Sequence, residues 1–457
     1  MGELTPTREQ VVAALEAVRA RTLALTDALT EDEQRRQWSP LMSPVVWDLA
    51  HVGNYEELWL QRALGGPPAE HPAYDDLYDA FKHTRADRPG LPLLSPSEAR
   101  AYDAGVRGRV LDVLAGLPGD DPFGPGADPL LAGAFVYGMV VQHEHQHDET
   151  ILATRQLMGV HATPPAGTTP APTAPPASPS PTAGRPAEQV LVPGGRVVLG
   201  TDLDPWAYDN ERPAHEVDVA PFLLDVTPVT NEAYLAFLDD GGYDDPRWWA
   251  PAGWSWRQEA GLVAPQFWAR DGDGWIVLRF GEHLPLAPLE PVQHVCWYEA
   301  DAYARWAGRR LPTEAEWECA AAWDPAAGRA RRYPWGDEPP DPTRANLGQR
   351  HRGPAAVGAY PAGVSPTGCH QLVGDVWEWT ASDFRPYPGF HAFPYQEYSE
   401  VFWGTDYKVL RGGSWAADPV AVRNTFRNWD LPVRRQIFAG FRCAADVPGP
   451  DRTLGEA

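Results

Sequence analysis

The feature that most constrains this chain is a polar histidine cluster set inside an apolar run. His143-Glu144-His145-Gln146-His147 follows the apolar stretch 130–141 and leads into Thr150-Ile151-Leu152-Ala153. This pattern predicts a buried helix with a polar insertion. His143 and His147 are four apart, so they share one helical face and can bind one metal ion. His145 stands roughly 200° around the helix from each and must face elsewhere. The same five residues also fit the zinc-protease pattern H-E-x-x-H, with Glu144 as general base. The continuation argues against that reading. Thr150 and Ala153 stand where a metzincin carries Gly and His, and no acid follows until Glu188.

Three further helices are expected before the cluster. Over Thr7–Leu29, residues Val11, Val12, Leu15, Val18, Leu23 and Leu25 fall near helical spacing. A second helix starts at Ser39-Pro40 or Ser43-Pro44, with Pro in its first turn, and carries His51 within the apolar segment 45–60. A third spans 95–117, opened by a capping box at Ser95-Pro96-Ser97-Glu98. Four principal helices predict an all-α four-helix bundle over residues 1–160. His51 alone reads as a core histidine. With the pair on a later helix available it becomes a third ligand, because a bundle brings side chains from facing helices to one interior metal. In the irregular stretch 65–94, Arg85 and Arg88 can fork around a substrate carboxylate, although loop arginines are usually just solvated.

Residues 161–187 change character to Pro, Ala, Ser and Thr and predict an extended, mobile linker. A second domain is expected over 188–448, with a tail at 449–457. Residues 190–200 read as two short strands around a Pro193-Gly194 turn. Beyond them, short strands, two helices (near Asn231–Leu238 and Trp297–Ala307) and long loops rich in Trp, Gly and Pro predict an α+β domain. The length of 457 residues is itself too great for one core. A net charge of −24 argues against nucleic acid or an anionic membrane as partner. The N-terminus lacks a signal sequence, and no apolar run reaches membrane-spanning length. Four widely spaced cysteines (Cys296, Cys319, Cys369 and Cys443) fit a reduced, cytoplasmic protein.

Six motifs in the second half occur in order: Trp206-Ala207-Tyr208-Asp209-Asn210-Glu211-Arg212-Pro213, Pro228-Val229-Thr230-Asn231-Glu232-Ala233-Tyr234, Arg310-Leu311-Pro312-Thr313-Glu314-Ala315-Glu316-Trp317-Glu318, Gly374-Asp375-Val376-Trp377-Glu378-Trp379, Arg411-Gly412-Gly413-Ser414-Trp415 and Gly440-Phe441-Arg442-Cys443. Together they resemble the formylglycine-generating-enzyme (sulfatase-modifying factor) domain, a C-type-lectin-like fold. The first domain, with Trp47-Asp48-Leu49-Ala50-His51 and the pair His143 and His147, resembles the DinB-type bundle. The combination resembles the ergothioneine-biosynthesis sulfoxide synthases over nearly the whole chain outside the linker. That resemblance implies a non-haem iron(II) centre joining a cysteinyl thiol to the imidazole of hercynine (trimethylhistidine) with O2. The thiol donor is γ-glutamylcysteine in one branch of the family and cysteine in another.

The resemblance also implies roles. His51, His143 and His147 correspond to the iron ligands, and Gln146 to a contact of the hercynine imidazole. Arg85 and Arg88 correspond to the clamp on γ-glutamylcysteine carboxylates. Asn428 and Trp429 correspond to residues around the trimethylammonium end of hercynine, and Asp430 to a thiol-substrate contact. Tyr395 corresponds to the catalytic tyrosine and Tyr398 to a hercynine contact; the order of these two tyrosines is open. The chemistry is coherent by itself. Three neutral imidazoles leave octahedral positions for substrates and O2. A tyrosine can deliver a proton as oxygen is reduced, and an aromatic wall suits a trimethylammonium group. Two departures matter. The long linker is not required by the fold. The formylglycine-generating enzymes hold copper with a close cysteine pair, whereas the corresponding segment here offers only Cys443, which argues against sulfatase maturation. The related ovothiol synthases carry a further methyltransferase domain, for which the chain ends too soon at Ala457. A non-catalytic lectin-like binding protein is a further alternative; retention of all three histidines weighs against it.

Overall fold

In the computed structural model, residues 5–119, 121–159, 169, 171, 188–272 and 274–448 are described. The first domain contains helices α1 (Arg8–Thr26), α2 (Glu31–Arg35), α3 (Val45–Glu56), α4 (Tyr74–Leu77), α5 (Pro96–Gly116) and α6 (Phe135–Leu157). The long helices α1, α3, α5 and α6 form the expected bundle, with α3 against α5 and α6, and α1 against α6. Local chemistry explains their starts. Thr7 with Gln10 caps α1, and Ser95 with Glu98 caps α5, in reciprocal capping boxes. Pro44 stands at the N-cap of α3, settling which of the two Ser-Pro pairs opens that helix. Helix α3 runs on as a π-helical turn, Glu57–Arg62.

The second domain is α+β. Strands β1 (Gln189–Val192), β2 (Gly195–Leu199), β3 (His215–Val219) and β4 (Phe222–Asp225) come first. β5 (Trp268–Asp271), β6 (Gly274–Arg279) and β7 (Glu282–Pro285) form a meander, and β8 (Trp323–Asp324) pairs with β9 (Arg329–Ala330). β10 (Trp377–Asp383), β11 (Lys408–Arg411), β12 (Asn428–Asp430) and β13 (Ala439–Gly440) make a four-stranded sheet ordered β12-β11-β10-β13. β14 (Ala444–Asp446) completes a sheet ordered β1-β4-β14. The strands flanking Pro193-Gly194 therefore exist but do not pair with each other: β1 pairs with β4 and β2 with β3. Helices α7 (Asn231–Asp239) and α9 (Trp297–Trp306) stand where the spacing placed them. The sequence reading missed α8 (Pro251–Glu259) and α10 (Glu314–Ala322), although Thr313 and Glu316 form a legible capping box at the start of α10.

The two domains share a core. One buried cluster joins Val136, Val140 and Val141 of α6 to Tyr208, Phe426 and Trp377 of the second domain. Helix α6 lies between the domains, and polar bonds fix its docking. Arg423 donates to Gln142 (2.8 Å), Gln142 to the Trp206 carbonyl (3.0 Å), and Trp377 and Ser414 to Glu149 (2.9 and 2.5 Å). Of the expected linker, only Thr169, which bridges to His351, and Ala171 are among the described residues. No helix among the described residues is long and apolar enough to cross a membrane.

Candidate metal centre and substrate cleft

His51 on α3 and His143 and His147 on α6 bring one ligand atom each within 4.8 Å of the others. Each of two rings is aimed by a bond at its far nitrogen. Nδ1 of His51 lies 2.7 Å from the Tyr78 carbonyl, and Nδ1 of His147 lies 3.0 Å from Asp48 Oδ1. Donation from Nδ1 leaves Nε2 of both rings as the ligand atom. Nδ1 of His143 is buried without a partner. Burial, and then the neighbouring imidazoles, push His51 and His143 well below the usual histidine range. Both rings therefore stay neutral, the form that binds a metal. A group of three imidazoles, with no fourth His, Cys, Asp or Glu joining it among the described residues, fits an iron(II) centre with open positions.

Glu144 and His145 of the cluster point away. Glu144 accepts from Arg19 Nε at 2.7 Å and from Thr22 at 2.8 Å. Burial works against its charge, but Arg19 and Arg107 outweigh that and hold the carboxyl below its usual range. It is thus engaged inside the bundle and has no access to the metal site. His145 faces Asp148 (3.3 Å) and, across the domain boundary, Asp418 (3.7 Å).

A cleft of about 970 Å³ opens over the three histidines. Arg85, Arg88, Gln146, Tyr395, Tyr398, Asn428, Trp429 and Asp430 all line it. The hydroxyl of Tyr395 lies 2.9 Å from that of Tyr55, and its ring stacks on Trp59 with centroids 5.1 Å apart. Tyr398 stacks on Tyr208 (4.3 Å) and meets Trp429 edge-on (6.0 Å). Trp429 lies flat on Phe384 at 4.1 Å, which fixes the plane of its exposed face. Burial pushes the phenols of Tyr55, Tyr395 and Tyr398 above the usual tyrosine range, so all three keep their protons.

The two arginines differ in kind. Arg88 is buried, lies 3.5 Å over the Trp47 ring and donates to Ser43 (2.5 Å) and to the carbonyls of His83 and Ala80 (both 3.2 Å). Its first task is to anchor its own loop. Arg85 is exposed, with Nη1 on the Leu41 carbonyl at 3.1 Å. The cleft also holds residues that sequence reasoning overlooked: Tyr55, Trp59, Lys82, Glu149 and Arg434. Tyr55 and Trp59 follow His51 at intervals of four, so that signal was available. Arg434, bonded to Asp430 at 3.1 Å, had no local signal.

The fold and site define a two-domain class: a helical bundle presenting three histidines to a cleft against a sulfatase-modifying-factor-type domain. Residues 14–151 match the DinB superfamily, and residues 174–447 match the sulfatase-modifying factor enzyme 1-like domain. The chain is 53% identical over 465 residues to a hercynine oxygenase of Mycolicibacterium thermoresistibile, covering 98% of this chain and 99% of that protein. It is 53% identical over 445 residues to the hercynine oxygenase of Mycobacterium tuberculosis, covering 96% and 99%. A formylglycine-generating enzyme of Streptomyces coelicolor is 34% identical over 299 residues, 59% of this chain and 91% of that one. The chain belongs to the hercynine oxygenase family.

Proposed function

We propose that this chain is an iron(II)-dependent hercynine oxygenase that joins the hercynine imidazole to the thiol of γ-glutamylcysteine and oxygenates the sulfur, in ergothioneine biosynthesis. The observation that carries the reading is a three-histidine group at one cleft with an aromatic wall and a cationic wall. The reaction balances: a thiol, an imidazole C–H and O2 give a sulfoxide-linked conjugate and water. Iron(II) held by His51, His143 and His147 would supply the binding of thiolate and O2 and the electrons for oxygen activation.

The chain's own residues do the rest. Trp429, stacked on Phe384, and Tyr398 present ring surface to the trimethylammonium group of hercynine. Asn428 belongs to the same wall, and Gln146, one residue before His147, borders the imidazole. Tyr395 keeps its proton in the buried cleft and delivers it as oxygen is reduced. It is favoured over Tyr398 because it is bonded to Tyr55, whose ring lies on His143 at 3.8 Å, whereas Tyr398 is packed under Tyr208. Arg85, Arg88, Arg434 and Lys82 give one wall a cationic character, with Asp430 among them. That supports γ-glutamylcysteine, with two carboxylates, over cysteine, with one. Four free, buried cysteines support a cytoplasmic setting.

The test is anaerobic loading with iron(II), then O2 with hercynine and each thiol in turn, and mass spectrometry of the products. The sulfoxide conjugate of γ-glutamylcysteine is expected to dominate. A conjugate formed only with cysteine overturns the thiol assignment, and no conjugate with either thiol overturns the function.

A further inference from the structure

Tyr395 is carried by the second domain, yet its phenol is held by the first. Its own loop is tied down behind it, where Asp209 accepts from the Phe393 amide (3.2 Å) and from Ser399 (2.5 Å). The ring and hydroxyl are instead gripped by α3 and its π-helical extension. Three side chains along that helix form a ladder: His51, then Tyr55, then Trp59. The Tyr55 ring lies nearly parallel to His143, with centroids 3.8 Å apart and 19° between planes. Trp59, in the π turn, stacks on the Tyr395 ring with 26° between planes. The hydroxyls of Tyr55 and Tyr395 meet at 2.9 Å, and either can donate. π turns inside α-helices commonly mark functional sites, because the extra residue re-aims the side chains that follow.

We propose that Tyr55 is a positioning residue: its hydroxyl donates to the Tyr395 oxygen, leaving the hydrogen of Tyr395 directed into the cleft over the three histidines. A phenol offers one hydrogen and accepts through the same oxygen. With Tyr55 as donor, the Tyr395 oxygen is fixed from the bundle side and its proton is free for the reaction. Without that bond, the hydroxyl can rotate away from the cleft. The stack of Tyr55 on His143 ties this alignment to the ligand helix, so phenol and metal site keep a common frame although they belong to different domains. The inference rests on the reading of Tyr395 as the proton-delivering phenol.

Tyr55→Phe keeps the ring and its stacking and removes only the hydroxyl. The informative quantity is the ratio of sulfoxide conjugate to sulfinic acid, the product in which both oxygen atoms end on the thiol sulfur without C–S bond formation. We expect Tyr55→Phe to lower that ratio about tenfold, the scale of one net hydrogen bond, with KM for hercynine within about twofold. In a Tyr395→Phe background the same substitution should change the ratio no further, since a residue acting through Tyr395 has nothing left to position. A second readout needs neither metal nor turnover. With 3-fluorotyrosine at position 395 of the metal-free protein, the fluorine NMR resonance should move when Tyr55 becomes Phe. An unchanged ratio, an equal loss in both backgrounds or an unmoved resonance overturns the inference. Absence of sulfoxide conjugate from the unsubstituted enzyme is a separate failure, of the functional reading and of the inference with it, and is distinguished because it precedes any substitution.

Discussion

Asp48 lies one helical turn before His51 yet serves the ligand on the opposite helix, with Oδ1 on His147 Nδ1 and Oδ2 buried without a partner. A carboxylate there fixes the tautomer of the ring and raises its basicity toward a metal. Asp48→Asn retains the shape and loses the charge. It should weaken iron(II) binding by about 10–100-fold, as loss of such a supporting partner typically does. Titration against a competing chelator measures this, and unchanged affinity would remove Asp48 from the site. At the same scale the sequence was informative about identity and silent about partnership. His51, His143 and His147 were all nameable from spacing and resemblance, but the Tyr78 carbonyl and Asp48 that aim them come from a loop and from the facing side of α3. Arg88 illustrates the same silence. It lines the cleft beside Arg85, and its partners, unannounced by any local pattern, are the His83 and Ala80 carbonyls of its own loop and Ser43 ahead of α3.

At the scale of elements, α6 must satisfy two neighbours at once. Its Gly138 faces Trp206 so closely that a Cβ would stand 2.3 Å from the indole. Gly138→Ala should therefore destabilise the protein by about 1–3 kcal/mol through overpacking. Gly108→Ala, in α5 with nothing within 4 Å of its would-be Cβ, should stabilise by about 0.4–1 kcal/mol. Urea denaturation of the pair checks the contrast, and effects of the same sign would mean the close approach does not matter. Within the bundle, Asp103 has both carboxylate oxygens buried and without a hydrogen-bond partner, and Arg19 is 3.8 Å away. Burial pushes its pKa up to about 8, against the pull of Arg19. A raised folded pKa means that the native state holds more protons than the unfolded chain between about pH 4 and that value. The contribution to stability is complete below about pH 4 and is lost as pH rises through 8. Asp103→Asn, which cannot ionise, should gain in thermal stability relative to the parent as pH rises from 5 to 9. A difference in Tm independent of pH would show that Asp103 does not titrate in that window.

At the scale of the whole molecule, the cleft exists because two domains share one core and one helix. Its aromatic wall comes from the second domain, through Tyr395, Tyr398 and Trp429, and its histidines from the first. The bonds of Glu149 with Trp377 and Ser414, and of Gln142 with Arg423, clamp the second domain to the histidine-bearing helix. The position of Tyr395 in the cleft with the three histidines thus depends on domain docking as much as on its own loop.

The amino-acid sequence by itself determined the four helices, the capping box of α5, the α+β character of the second domain and the three histidines of the candidate metal centre. Each of these rests on local spacing or on ordered motifs within short stretches. Tertiary structure alone decided that β1 and β2 seek different partners, that Glu144 is locked to Arg19 rather than facing the three histidines, and that Tyr55 reaches Tyr395. It also brought Arg434 to the wall shared with Arg85. The physical reason is separation along the chain. Periodicity states which face of a helix or strand is buried, but which distant group meets that face depends on packing angles and loop paths that no local pattern encodes.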